Sequence, residues 1–323
     1  MSNRTTMTRR ALLAAPVALA ACSRKKSGPE RLVSVVRASD YSADLTSIVR
    51  GMLVEHKVAI RGKRILLKPN LVEFSAGAPI NTNPILVAAV YEAFVALGAA
   101  EVLIAEGPGH RRITMELAEC AGFFGAVRDF EKKFVDLNLD DVSQVLLKDP
   151  FSRLSSVYFP NTALGADLLV SLPKMKTHHW VGATLSMKNL FGLVPGGVYG
   201  WPKNVLHWAG IDECIADLHL RFPNQFCIVD GIEGMQGNGP ILGTTRRAGV
   251  LVAGAHPPSV DATCCQIMGI DPSGIKYLNL IAGRTGWQSS DVRQIGELAG
   301  SAYAPFDLPP GFESLRLGNG MAI

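Results

Sequence analysis

Short apolar segments alternate with helix-forming segments along most of this 323-residue chain. The apolar runs have the length and composition of buried strands. They lie at Leu32–Val36, Arg64–Lys68, Glu101–Ala105, Leu168–Leu172, Phe226–Val229 and Gly249–Ala253. Helices are predicted near Leu45–Val58, Pro84–Leu97, Thr114–Ala121, Ala209–Leu220, Ser259–Met268 and Gly274–Ala282. This alternation predicts an α/β fold with a mostly parallel open sheet and helices on both faces.

Residues 129–160 depart from the alternation. Short β-like runs at Phe134–Leu137, Val145–Leu147 and Val157–Phe159 predict a small β insertion. One more strand is predicted at Ser314–Leu317. We therefore expect residues 32–323 to form a single α/β domain, a length that can bury a large core.

Polar and titratable side chains follow five of the predicted strands. In chain order these groups are Lys68 with Asn70, Glu106 to His110, the cluster from Lys174 to His179, Asp230 to Gly239, and His256. The carboxyl ends of parallel strands meet at one edge of a sheet, where open α/β folds bind their ligands. The pattern predicts one polar crevice at that edge.

The densest of these groups contains Lys174, Lys176 and His178, with Lys188 and Asn189 further on. Together with Lys68, the three lysines predict a positively charged pocket for a carboxylate or a phosphate. Asp230 and Glu233 are predicted to pair with some of these lysines. The alternative is a solvated loop whose lysines serve solubility.

Two glycine-rich segments follow strands. Gly107 and Gly109 suit a tight turn that brings backbone close to a ligand. The second segment suits a loop whose amides cradle an anion, and its glycines are Gly231, Gly234, Gly237 and Gly239. It has neither a Walker nor a dinucleotide-binding spacing, and the alternative is a flexible loop.

Histidines supply the candidate acid and base. His110 and His178 both follow strands, and imidazole is the side chain that most often transfers protons in enzymes. His179 is expected to pack beside Trp180, and His207 follows a Gly/Pro/Trp-rich stretch, residues 195–202, that suits a pocket wall. His56 and His219 are expected to be surface or satisfied core residues.

The N-terminus has the order of an export signal. Arg9 and Arg10 form a twin-arginine pair ahead of a short apolar run, and the run ends in a lipobox-like sequence at Cys22. Residues 1–22 are thus predicted to direct export, with Cys22 lipidated, and residues 23–31 to be a tether. The mature protein is then expected on the periplasmic side, lipid-anchored to the membrane. The alternative is an uncleaved N-terminal anchor.

Charge and cysteine spacing argue against nucleic-acid binding and against a ferredoxin-type iron–sulfur cluster. Six of the 32 Lys and Arg residues lie in the first 26 positions, so the rest of the chain carries 26 bases against 28 acids. This balance does not indicate nucleic-acid binding. No Cys-x-x-Cys occurs, so a ferredoxin-type iron–sulfur cluster is not supported. The five cysteines beyond Cys22 are expected to be mostly buried thiols.

Several motifs as a set resemble the domain-of-unknown-function 362 family. They are Lys68-Pro-Asn-Leu-Val72, Thr82-Asn-Pro84, Glu106-Gly-Pro-Gly109, residues 173–178 with 188–192, and residues 230–240. The resemblance covers nearly all of residues 32–285. Some members of that family carry a ferredoxin-type module, which this chain lacks, and the family name assigns no reaction.

A more limited pattern is similar to the N-terminal domain of nickel-pincer lactate racemases. It consists of Gly109-His110-Arg111, Thr177-His178, Lys188 and Pro195-Gly196. The resemblance implies that His110 and His178 are acid and base and that Lys188 holds a pyridinium-derived cofactor. The family's nickel-binding histidine falls at Asn204 here, and the nearest histidine is His207.

These features favour an exported lipoprotein that is an enzyme or a cofactor-bearing redox protein. Its chemistry would be proton or hydride transfer on a small anionic, carboxylate-bearing molecule, of the isomerase, racemase or oxidoreductase type. The cofactor is unknown, with a metal or a nickel-pincer-type group as candidates. The alternative is a non-catalytic lipoprotein that binds an anion or a metal. The sequence names no protein partner.

Overall fold

The computed structural model describes residues 31–110, 113–299 and 303–318. The strands β1 to β13, in chain order, are Arg31–Arg37, Arg64–Pro69, Glu101–Glu106, Phe134–Asp136, Val142–Leu146, Ser156–Pro160, Leu168–Leu172, Lys174–His178, Gly182–Thr184, Gln225–Gln236, Thr244–Arg246, Val250–Gly254 and Val292–Gly296. The helices α1 to α11 are Leu45–Glu55, Pro84–Ala96, Thr114–Cys120, Phe123–Ala126, Phe130–Lys133, Asn161–Leu164, Gly196–Tyr199, Val205–Trp208, Ile211–Arg221, Pro257–Ile267 and Lys276–Thr285. Short 3₁₀ helices lie at Lys188–Leu193, Pro272–Gly274, Ser289–Asp291 and Glu313–Leu315.

Eleven strands within the described residues form one twisted sheet. Its main path is β13-β1-β12-β10-β7-β2-β3-β4, with β8 and β11 paired to β10 and β9 paired to β8. Along the main path every neighbouring pair is parallel except the two that β12 makes, with β1 and with β10. The predicted α/β fold with a mostly parallel sheet is confirmed.

The sheet is buried on both faces. Alternate residues of β2 point to opposite sides, so that Leu66 joins one apolar cluster while Ile65 and Leu67 join the other. Helices α9, α10 and α11 cover the first face, and α1 and α2 cover the second. Covering both faces explains why the strands appear in the sequence as continuous apolar runs.

Local sequence signals fix where the helices begin. The Asp44 carboxylate accepts a hydrogen bond from the Ser47 amide at the start of α1. Asn83 caps α2 in the same way, and Pro84 occupies its first turn. Both helices start at the predicted residue.

Three predictions about strands need correction. Leu315 lies in a 3₁₀ turn, and the segment makes one isolated bridge, from Arg316 to Ile270, rather than a strand. β4 pairs with β3 in the main sheet, so within residues 129–160 the separate sheet consists of β5 and β6. β12 runs antiparallel to its neighbours, which places His256 at the opposite edge from the other strand ends.

No helix in the described parts of the chain is both long and apolar enough to span a bilayer. Residues 1–30, with the predicted signal and Cys22, lie outside the described residues.

Candidate active site

A cavity of about 660 Å³ opens at the carboxyl edge of the parallel strands. Asn70 reaches it from the end of β2, and Glu106 and His110 reach it from the end of β3. Lys176 and His178 of β8 form another part of its lining. The structure thus brings both predicted acid/base histidines to one space.

The pleat of β8 selects which side chains face the cavity. Lys174, Lys176 and His178 are two residues apart and therefore lie on one face of the strand. Lys176 is directly opposite Thr184 of the antiparallel strand β9, and Thr184 also lines the cavity. Lys174 lies at the start of β8 and does not line the cavity, because its amine forms an ion pair with Asp230.

Lys176 is fully buried. Its Nζ donates a hydrogen bond to the carbonyl oxygen of Ile80 at 2.8 Å. Burial, followed by the positive charges of Lys174 and Lys188, lowers the pKa of Lys176 well below its ordinary value. An anion in the cavity would favour the charged form of this amine.

His178 is held as a hydrogen-bond donor. Its Nδ1 accepts a hydrogen bond from the Trp180 amide at 3.0 Å, so the proton of the neutral ring is on Nε2. Burial, and then the charge of Lys188, lowers the pKa of His178 to about 2. The imidazole is therefore neutral at physiological pH.

An aromatic wall extends from His178 to the mouth of the cavity. The His178 and His179 rings stack at 5.1 Å between centroids, and Trp180 packs edge-on against His179 at 4.8 Å, as predicted. The His207 ring packs against the Trp180 ring, with 5.0 Å between their centroids. Trp180 is largely exposed, so this wall forms part of the rim.

Lys188 begins the 3₁₀ helix Lys188–Leu193. The preceding Ser186 and Met187 amides donate to the buried Asp261 carboxylate, which fixes the start of the turn. The Lys188 Nζ lies 3.6 Å from the centroid of the Phe191 ring. Burial, and then the charges of other lysines, lowers the pKa of Lys188 to about 7.

Lys203 is a cavity residue that the sequence reasoning missed. It is buried, lines the cavity, and donates through Nζ to the Gly107 carbonyl. Burial lowers its pKa to about 7. Its position next to the Gly/Pro/Trp-rich stretch, residues 195–202, was the available signal.

Two predicted pocket lysines are instead buried in ion pairs. Lys68 lies 2.5 Å from a carboxylate oxygen of Glu106 and also donates to the Asn189 side chain. The Lys174 Nζ lies 2.6 Å from a carboxylate oxygen of Asp230, which the sequence predicted to pair with one of the lysines. Neither lysine lines the cavity, although Glu106 and Asn189 do.

In the second glycine-rich segment, the amides predicted to cradle an anion have partners within the protein. Gly231 and Gly234 lie within β10, and the amides of Gly237 and Gly239 donate to protein carbonyls. The neighbouring Asn238 reaches the cavity instead. Glu233 likewise pairs with Arg247 rather than with a pocket lysine.

His110 and His207 lie elsewhere on the lining. His110 is exposed, at the mouth. The pKa of His207 is lowered to about 4 by burial and by the charge of Lys188, and its buried Nδ1 has no hydrogen-bond partner in the described part of the chain. Within residues 31–110, 113–299 and 303–318, no three His, Cys, Asp or Glu side chains gather as a metal site.

Two further polar atoms of the lining are buried without a partner among the described residues. They are the Asn70 Oδ1 and the Thr184 Oγ1. Native proteins rarely leave such atoms unpaired, so both are available to a ligand or to water.

The remaining histidines form hydrogen bonds within the protein, and most of the described thiols are buried. His56 bonds to Ser34 at 2.7 Å, and His219 contacts the Gln225 side chain at 3.3 Å. His256 caps α10 through Ser259. Four of the described cysteines are buried free thiols, and Cys120 is exposed.

The family model described as "Domain of unknown function (DUF362)" matches residues 65–266. The chain belongs to this family, which confirms the resemblance drawn from its motifs.

One similar protein is the thylakoid-associated protein sll1697 of Synechocystis sp., at 28% identity over 257 residues, or 75% of this chain and 76% of that protein. A solved structure that matches part of this chain is the lactate racemase apoprotein from Thermoanaerobacterium thermosaccharolyticum, at 14% identity and a TM-score of 0.44. That match covers 74% of this chain and 57% of the racemase.

Proposed function

We propose that this protein is an enzyme that transfers a proton to or from a small carboxylate-bearing anion in the cavity. One observation carries the proposal: Lys176, Lys188 and Lys203 line the same space as His110 and His178. A cluster of cations supplies binding of an anion, and imidazoles supply acid/base chemistry.

The charge of the lining favours an anionic ligand. Among the described residues that line the cavity, Glu106 is the only carboxylate, and Lys68 already neutralises it. The lysines that face the space therefore have no counter-ion there. A bound carboxylate would provide one and would raise their depressed pKa values.

The two histidines differ in what they offer. The Nε2–H of His178 is fixed as a donor, suited to an anionic oxygen of the substrate. His110 is exposed at the mouth, where an imidazole can exchange protons with both substrate and water. We assign His110 the proton transfer and His178 the stabilisation of the charge that develops.

The cofactor implied by the racemase-like pattern has weaker support in this site. Lys188 lies on the lining, but Asn204 occupies the position of the expected nickel ligand. Because no cluster of metal donors forms in the described residues, we derive no step through a metal. Asn70 and Asn189 remain candidate ligand-binding residues on the lining.

Hydrogen–deuterium exchange tests the proposal without a known substrate. The protein is incubated in D₂O with small 2-hydroxy, 2-amino and unsubstituted carboxylates, and NMR follows the hydrogen beside the carboxylate. We expect loss of that signal with at least one compound. His110→Ala and His178→Ala should each slow it by about 100-fold or more, whereas the exposed Lys148→Met should not. Binding without exchange would favour the alternative, a non-catalytic anion-binding protein.

Export and lipid attachment at Cys22 complete the proposal. They are supported by the order of residues 1–22 in the sequence, namely Arg9 and Arg10, an apolar run and the lipobox-like ending. On this proposal the cavity works on the periplasmic side of a membrane.

A further inference from the structure

We propose that the Lys188 amine is a nucleophile that forms a Schiff base with the carbonyl carbon of a 2-oxo carboxylate bound in the cavity. This inference rests on the proposed function, because it places the covalent step in the same anion-binding site. It adds a substrate class and a bond-forming group.

Lys188 differs from the buried lysines around it in what its amine contacts. Lys68 and Lys174 each form an ion pair with a carboxylate. Lys176 and Lys203 each donate to a backbone carbonyl. The Lys188 Nζ makes neither an ion pair nor a hydrogen bond to any described residue.

The contact that Lys188 does make leaves its lone pair usable. Its Nζ sits over the Phe191 ring, which forms part of the cavity lining. An aromatic face attracts the N–H groups of an amine and does not occupy the nitrogen lone pair. The amine is thus oriented by packing and remains free to attack a ligand.

The surroundings also keep a fraction of this amine uncharged. Burial and the charges of Lys68 and Lys203 bring its pKa to about 7, so about half is neutral at physiological pH. Desolvation and a neighbouring cation are the two conditions that activate lysine as a nucleophile.

The rest of the lining suits the other end of a 2-oxo carboxylate. Lys176 and Lys203 supply cations for the carboxylate. The His178 Nε2–H is a donor for the oxygen that becomes anionic on attack. A neutral ketone would lack the first of these interactions.

The step balances with no further reagent. The Nζ lone pair attacks the carbonyl carbon, and the π electrons move to the oxygen. A proton passes from nitrogen to that oxygen and gives a carbinolamine. The hydroxyl group takes a proton from solvent and leaves as water while the nitrogen lone pair forms the C=N bond. The resulting iminium N–H returns a proton to solvent. An imine between Lys188 and the keto carbon remains.

Reductive trapping tests the inference. The purified protein is incubated with pyruvate and cyanoborohydride, which reduces the imine to a stable secondary amine, and peptide mass mapping locates the adduct. We expect one dominant adduct on Lys188 that is absent from Lys188→Arg and Lys188→Met. The exposed Lys148→Met should be labelled as the wild type is.

Acetone provides the matched control for the carboxylate. Acetone carries the same keto group without charge. We therefore expect it to label Lys188 at least about ten-fold less than pyruvate does, equivalent to losing about 1.4 kcal/mol of binding. Lys203→Met should reduce labelling by pyruvate more than labelling by acetone, because it removes a cation that binds only the carboxylate.

Labelling of wild-type protein spread over exposed lysines, with no preference for Lys188, would overturn the inference. This result does not depend on whether a Lys188 variant folds. Absent trapping together with deuterium exchange would reject the Schiff base and leave the proposed function intact. Absence of both would reject both.

Discussion

The Lys68 ammonium and the Glu106 carboxylate form an ion pair of 2.5 Å that is buried from solvent. Gly192 packs so closely against this pair that a side chain there would collide with both partners. The pair ties the ends of β2 and β3 together beneath the cavity. It also removes the charge of a carboxylate from a site that we assign to anions.

Replacing Glu106 with Gln should leave a buried ammonium without a counter-ion. We expect Glu106→Gln to lower the free energy of unfolding by about 3–5 kcal/mol, as is typical for breaking a buried pair. Urea denaturation at pH 7 measures the change. The same substitution at the exposed Glu55 is the control and should have little effect. Equal, small changes in both variants would show that the pair does not stabilise the fold.

Lys188→Met should stabilise the protein at neutral pH. The folded state lowers the pKa of Lys188 from 10.5 to about 7, so between these pH values the unfolded chain binds the extra proton. Stability of the wild type therefore rises with pH in this range through Lys188. We expect Lys188→Met to be about 1–3 kcal/mol more stable at pH 7, the usual cost of withdrawing a polar group from water without a hydrogen-bond partner.

The advantage of Lys188→Met should shrink as pH rises from 7 towards 10. Denaturation series at several pH values, with Lys148→Met as the control, measure it. A variant that is less stable than the wild type at pH 7 would mean that the Lys188 amine contributes to stability, contrary to this account.

Cys22→Ala should abolish lipid attachment. The expected readouts are loss of the lipid mass and transfer of the protein from the membrane fraction to the soluble fraction. Replacing both Arg9 and Arg10 with Lys should block export if the twin-arginine route is used. A Cys22→Ala protein that partitions with membranes as before would contradict the lipid-anchor proposal.

The sequence predicted the location of the site better than it predicted which side chains pair with each other there. The position of polar residues after apolar strands placed His110, His178, Lys176 and Lys188 near one edge, and the structure brings them to one cavity. This worked because the carboxyl ends of parallel strands converge.

Long-range pairing decided what the sequence could not resolve. Lys68 and Lys174 turn away from the cavity because each pairs with a carboxylate. These carboxylates lie 38 and 56 positions further along the chain. Lys203 turns towards it and bonds to a carbonyl 96 positions away. Short-range patterns contain no information about such contacts.

The direction of a strand is similarly hidden. β12 is as apolar as the parallel strands of the sheet, and only its hydrogen-bond register reveals that it runs in the opposite direction. This reversal moved His256 from the predicted crevice to the opposite edge of the sheet. Periodicity indicates burial of a strand and gives no orientation.

Calorimetric titration of a small dicarboxylate tests the anion site most directly. We expect malonate to bind wild-type protein with an affinity that falls as salt rises. Lys176→Met and Lys203→Met should each weaken binding by about ten-fold or more, while the exposed Lys148→Met binds as the wild type does. Circular dichroism verifies that each variant is folded. Undetectable binding at low salt, or equal affinity in all three folded variants, would contradict the assignment of this cavity to a carboxylate.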